Sequence, residues 1–199
     1  MARKRGLTVD DVVAAAAAGA DRVGFDALTL ADVATELGVR SPSLYSHVDG
    51  LTGLRRALSL DAVRRLGETI TAAVAGRDGT DALRAIAHGY REFARGHPGS
   101  YAAILTTPAE VDDAPAYTAF AAVLPVIVEV LLQLGAAEAE AVPLIRSFRS
   151  ALHGFVALEA SGGFGLPDDI DASFEVLIDV LVAGLRARAI APEEAAMGG

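Results

Sequence analysis

Residues 38 to 48 read Gly-Val-Arg-Ser-Pro-Ser-Leu-Tyr-Ser-His-Val, and the polar members of this run suit recognition of a polyanion. Arg40 offers the rigid donor fork that most often pairs with guanine O6 and N7. Ser41, Pro42 and Ser43 follow it with side chains short enough to allow close approach to base edges. Near the N-terminus, Arg3, Lys4 and Arg5 form a basic arm suited to neutralising phosphates or entering a minor groove.

The remainder of the chain gives little support to bond-making or bond-breaking chemistry. The chain has no cysteine and its four histidines are scattered, so neither a disulfide framework nor a metal cluster is expected, and no cofactor is implied. A nucleophile elbow and an obvious acid pair are lacking, and Gly162-Gly163-Phe164-Gly165 has no strand before it to make a phosphate-cradling loop. The net charge of −9 is unevenly spread. Up to Leu66 nine Lys and Arg meet eight acids, whereas eight meet eighteen beyond it, so the two parts carry +1 and −10. Only the first third approaches phosphate comfortably.

The elements that must hold these groups are legible from caps and apolar spacing. Val9, Val12, Val13, Ala16, Ala17, Ala20 and Val23 make one buried stripe, with Thr8 as N-cap, Asp10 and Asp11 in the first turn, and Gly24 as a stop. Thr29 caps a second helix of about two turns carrying Leu30, Val33, Ala34 and Leu37, which Gly38 ends. Ser41 caps a third short helix with Pro42 at its first position, and its Leu44 and Val48 face the same core as Ala34 and Val39. Two short helices joined by a glycine turn are what a helix-turn-helix requires.

Asp49 then caps a long helix with inward Leu54, Leu58, Ala62, Leu66 and Ile70, ending near Gly76. Further helices are expected over 80–97, 98–105, 115–134, 138–160 and 170–189, with Pro125 and Pro143 kinking or resetting theirs and a frayed tail from Pro192. No run alternates with period two and no internal repeat is present. The expected architecture is all-α, with about nine helices: a three-helix unit over residues 1–48 and a larger helical domain over 49–199. The apolar stretch from Ala119 to Leu134 contains Pro125, Glu129 and Gln133 and reads as a core helix rather than a membrane span. The basic start reaches Asp10 and Asp11 before any apolar run, which argues against a signal peptide and for the cytoplasm.

The segment Thr29–Leu58, TLADVATELGVRSPSLYSHVDGLTGLRRAL, resembles the DNA-binding signature of the tetracycline-repressor (TetR) family. The resemblance rests on Thr29, the turn Leu37-Gly38-Val39, Ser41, the run Leu44-Tyr45-x-His47-Val48, and Leu54 and Leu58 in one register. It implies that Tyr45, His47 and Thr29 hold backbone phosphates. Where many members carry a phosphate-contacting lysine this chain has Leu51, so that contact is either lost or moved to Arg55 or Arg56. Farther on, Phe148-Arg149-Ser150-Ala151-Leu152-His153-Gly154-Phe155 resembles the C-terminal domain subclass named for a Trp-His-Gly motif, with Leu152 in place of the tryptophan. The resemblance implies a homodimer on a palindromic double-stranded operator, released by a small-molecule effector. Taken singly, each DNA residue has a plainer use: Tyr45 packing on the first helix, His47 as a solvated surface group, the arm as a disordered terminus.

Candidates for the effector site are His88, Tyr90, Phe93, Tyr101, Phe120, Arg146, Arg149 and His153, all on or near inward helical positions, where ordinary core packing competes as an explanation. His153 stands among apolar neighbours and needs a partner: Glu159, a backbone carbonyl or a ligand. Phe148, Leu152, Phe155 and Leu158, with Phe174, Leu177, Ile178, Leu181 and Leu185, offer more apolar stripe than a small domain buries, so a second subunit is the expected cover. The resemblance makes these two helices half of a four-helix dimer interface, with Ala151 and Gly154 permitting close approach. Two other readings remain at this point: an all-helical ligand carrier or enzyme that happens to begin with a three-helix unit, and an architectural DNA protein that senses nothing.

Overall fold

A computed structural model describes residues 6–106 and 114–190, with side chains described for 6–106 and 123–188. The arm Arg3–Arg5, the Phe120 side chain and the tail beyond Pro192 therefore lie outside the described residues. Among the described residues there are eight α-helices, one 3₁₀ helix and no strand.

The first two helices begin alike. Helix α1 (Val9–Val23) opens with a reciprocal capping box: the Asp11 amide donates to the Thr8 hydroxyl, and the Thr8 amide donates back to the Asp11 carboxylate. Helix α2 (Leu30–Leu37) repeats the arrangement with Thr29 and Asp32. Each box satisfies two amides that would otherwise have no partner in the helix. Gly38 ends α2 at φ 64°, ψ 30°, a left-handed conformation that turns the chain at no steric cost only for glycine.

The third short helix, Ser41–Ser46, winds as 3₁₀. With six residues and no amide hydrogen on Pro42, it lacks the length to repay α-helical nucleation. Helix α3 (Gly50–Val74) follows, then α4 (Gly79–Gly96), α5 (Pro98–Thr106), α6 (Ala114–Gln133), α7 (Glu138–Ala160) and α8 (Ile170–Ile190). Helices α6 and α7 run unbroken through Pro125 and Pro143. No helix among the described residues is long and apolar enough to cross a membrane.

The chain divides into two compact units. Unit 1 joins residues 1–66 with 96–120, and unit 2 joins 67–95 with 121–199. In unit 1, Val12, Ala16 and Ala20 of α1 pack with Leu28, Val33, Leu44, Leu54 and Leu58, and α5 adds Ala103 to this core. In unit 2, α4 buries Leu83, Ile86, Ala87, Tyr90 and Phe93, while α7 and α8 pair around Phe148, Leu152, Phe174 and Ile178. An ion pair between Arg188 and Glu140, at 2.7 Å, also ties α8 to α7.

Candidate nucleic-acid interface and sensing half

With three residues per turn, side chains at i and i+3 of a 3₁₀ helix eclipse one another. Leu44 therefore shares a face with Ser41 and His47, and that face points inward: Leu44 is fully buried and its two neighbours are half-buried. Pro42 and Tyr45 share a second face, Ser43 and Ser46 a third, and all four are exposed. Tyr45 is 63% exposed, which sets aside packing on α1 as its use. Arg40 stands exposed just before this turn, and its carbonyl accepts from the Ser43 amide at 2.9 Å. The short helix is anchored by Leu44 and Val48 and presents Arg40, Pro42, Ser43 and Tyr45 outward, while His47 lies at its inner edge.

Thr29, exposed at the α2 N-terminus, is also the capping residue of that helix. Its hydroxyl donates to the Asp32 carboxylate at 2.6 Å and its amide does so at 2.9 Å. The hydrogen bonds from Thr29 hold the Asp32 carboxyl below its ordinary range, so the α2 N-terminus carries a committed negative charge. Leu51 packs against the unit 1 core, which gives an apolar residue there a structural reason. Arg55 donates to the Asp26 carbonyl at 2.9 Å and lies 5.2 Å from the centre of the Phe25 ring. It thereby staples the α1–α2 loop to α3.

The effector candidates with described side chains fall in both units. Tyr101 is buried in unit 1, whereas His88, Phe93, Arg149 and His153 belong to unit 2. Phe93 is buried, Arg149 is exposed and His153 is half-buried. His88 stacks edge-on to Phe174, 5.8 Å between ring centres, and approaches Glu175 at 3.3 Å. An open groove of about 720 Å³ in unit 2 is bordered instead by Thr80, Arg84, Asp179 and Arg186.

Among the residues proposed to meet a second subunit, Phe148, Leu152, Phe174, Ile178 and Leu185 are buried by their own chain and form the unit 2 core. Their surface is already covered, so they have none to offer a partner. Ala151, Phe155, Leu177 and Leu181 are half-buried and Leu158 is 49% exposed. The exposed apolar residues of α8 lie one step round the helix, at Val176 and Val180, 62% and 64% exposed.

The residue that sequence reasoning missed is Arg91. It is 7% exposed, and its guanidinium grips Glu159 through two bonds of 2.9 and 2.6 Å and Asp171 through one of 2.6 Å. It also lies 4.6 Å from the Phe174 ring centre and 5.5 Å from that of Phe155. The hydrogen bonds donated by Arg91 outweigh burial and hold the Glu159 carboxyl below its usual range, and the same bonds, accepted by Glu159, raise Arg91 in turn. Arg84 and His88, two turns and one turn earlier on α4 respectively, face Glu175 of α8, so a basic stripe of α4 lies along an acidic stripe of α8. The sequence signal was available: Arg91 stands four residues after Ala87 and three before Ala94, a charge set into an apolar stripe.

An all-helical chain whose short third helix is buried on one face and turns polar and aromatic groups outward falls in the helix-turn-helix class of DNA-binding proteins. Residues 83–181 match a family model described as "Tetracyclin repressor-like, C-terminal domain". Over 192 residues the chain is 40% identical to the uncharacterized HTH-type transcriptional regulator Rv0681 of Mycobacterium tuberculosis, covering 94% of this chain and 86% of that protein. Among solved structures, the transcriptional regulator SCO7222, a TetR from Streptomyces coelicolor, superposes with a TM-score of 0.71 at 20% identity, covering 92% of this chain and 100% of the other. A TetR variant from Acinetobacter baumannii AYE in complex with minocycline superposes with a TM-score of 0.65 at 23% identity, covering 94% and 100%. The chain belongs to the TetR family of transcriptional regulators and is a DNA-binding regulator.

Proposed function

We propose that this protein is a cytoplasmic homodimer that represses transcription from a palindromic operator and leaves it when a small, largely apolar molecule binds the sensing half. Residues 1–48 read DNA in this scheme, and residues 49–199 carry effector binding and dimerisation. The observation that carries the reading is the short helix Ser41–Ser46, held by fully buried Leu44 while Tyr45 beside it is left 63% exposed. A large aromatic left exposed on a short helix that also leaves Arg40 exposed at its start has no folding rationale and suits a phosphate backbone and a base edge.

Two mid-helix glycines support the dimer. A Cβ at Gly154 of α7 or Gly184 of α8 would meet nothing within 4 Å, so neither glycine is demanded by its own chain. Each costs about 1 kcal/mol relative to alanine in a helix interior. Close approach of a second copy, next to exposed Val176 and Val180, gives them a use. The minocycline complex of the Acinetobacter protein supports a small-molecule ligand for the same fold.

Selection of bound fragments from a random duplex pool by the purified protein tests the reading. The expected result is one palindrome with half-sites about one helical turn apart, ~34 Å, bound by a dimer. Enrichment of no sequence, or binding by a strict monomer, would overturn it.

A further inference from the structure

We propose that Asp21, at the end of α1, is the positioning residue through which the α4–α5 corner sets the pose of the DNA-reading helices. The inference rests on the DNA-binding reading above. Helix α4 ends at Gly96, and the chain turns through His97-Pro98-Gly99-Ser100 into α5, which belongs with α1 in unit 1.

The Asp21 carboxylate, 19% exposed, receives this corner. One oxygen accepts the Ser100 amide at 2.8 Å; the other accepts from His97 Nδ1 at 3.1 Å and from the Ser100 hydroxyl at 3.4 Å. From α3, Arg65 reaches His97 Nε2 at 3.1 Å and the Ser100 hydroxyl at 3.5 Å. Since a guanidinium only donates, Nε2 accepts and the His97 ring proton sits on Nδ1, directed at Asp21. Ser100 is fully buried.

Two further features make the contact stiff. A Cβ at Gly99 would run into the Ala20 carbonyl group and the Asp21 nitrogen, all backbone atoms unable to swing aside, so the corner and α1 meet main chain to main chain. Asp21 also caps an amide of the first turn of α5, which has no partner inside that helix. Beyond the contact, Arg22 pairs with Glu36 of α2 at 3.2 Å, and α1 shares its core with Val33 and Leu44. A close-packed unit of this kind moves as a body, so displacement of the corner displaces α2 and the reading turn together. Helix α3 is thus accompanied by a second route into the reading helices, and Arg65 brings α3 to the same carboxylate cluster.

Reciprocity provides a test that needs no effector: if the corner biases DNA binding, DNA must tighten the corner. Hydrogen exchange is followed on the full chain with and without the duplex it selects from a random pool. In the wild type, duplex slows exchange at residues 29–48 and also at 97–104. In Asp21→Ala the slowing at 29–48 persists and the duplex-dependent slowing at 97–104 is lost. A cap with a merely structural role would speed exchange at 97–104 equally with and without duplex. Asp21→Asn, which keeps an acceptor for Ser100 but turns a donor towards His97, is the milder variant if the alanine form does not fold, and it should cut the duplex-dependent slowing at 97–104 at least threefold. Wild-type slowing confined to 29–48, or slowing at 97–104 that survives both substitutions, would overturn the proposal; absence of slowing at 29–48 would instead defeat the DNA-binding reading on which it rests.

Discussion

Arg91→Ala removes one cation and leaves Glu159, whose side chain is 15% exposed, without its partner. Breaking a buried pair from one side costs about 3–5 kcal/mol, because the remaining charge stays desolvated. Glu159 keeps some water and can relax toward it, which places the electrostatic loss near the lower end, ~3 kcal/mol. Loss of the contacts to Phe155 and Phe174 adds about 0.5–1 kcal/mol. By contrast Asp171, the other carboxylate on the same guanidinium, is 73% exposed. Asp171→Ala therefore costs ~0–1 kcal/mol, since solvent screens that pair. For a chain of this length a loss of about 3–4 kcal/mol lowers Tm by roughly 6–16 °C. Urea unfolding followed by circular dichroism at one fixed protein concentration reads both variants, the fixed concentration being needed because the proposed dimerisation would contribute to apparent stability. If Arg91→Ala and Asp171→Ala fell within 1 kcal/mol of one another, burial would not be what gives the pair its weight. The pH dependence has a definite sign. Arg91 holds Glu159 below its usual 4.5, so the stabilisation is fully present above about pH 4.5 and is lost as pH falls through the lowered value. Glu159→Gln should remove that acid-dependent part, so the gap to wild type narrows in acid; a gap that stayed constant down to pH 3 would contradict the assignment.

Val180→Asp places a charge among the exposed apolar residues of α8, and light scattering at micromolar concentration should find a monomer; a persistent dimer would put the interface elsewhere. Tyr45→Ala and His47→Ala should weaken binding to all duplexes alike, whereas Arg40→Ala should change the preferred base, as sequencing of selected fragments from each variant will show. Gly99→Ala should destabilise the chain by about 1–3 kcal/mol in urea, since the added methyl meets backbone at Ala20; an unchanged midpoint would mean that the corner is loose.

The helices were readable because their ends are written in local chemistry. Thr8 and Thr29 with an acid three residues on, Gly24 and Gly38 at the stops, and Pro98 at a first position each act through neighbours in the chain. What stayed hidden depends on residues far apart in sequence. Arg91 looked like one basic residue among several until Glu159 and Asp171, 68 and 80 positions away, closed around it. The stripes of α7 and α8 were visible, but apolar spacing does not distinguish the face a helix turns to its own chain from the face it leaves exposed, so Phe174 and Val176 read alike.

The course of the chain through its two units sets a limit on how such regulators can be recombined. It passes from one unit to the other within α3, at the end of α4 and within α6. Ala103 of α5 belongs to the core that holds the reading turn, and among the described residues the Asp21 carboxylate is bonded by Ser100 and His97. A cut after residue 48, or even after residue 66, would leave that core open and a carboxylate stranded. A transplantable DNA-reading module would have to include a graft of 96–106 as well, so new pairings of reader and sensor in this architecture must be made by exchanging surface residues rather than by splicing at a single point.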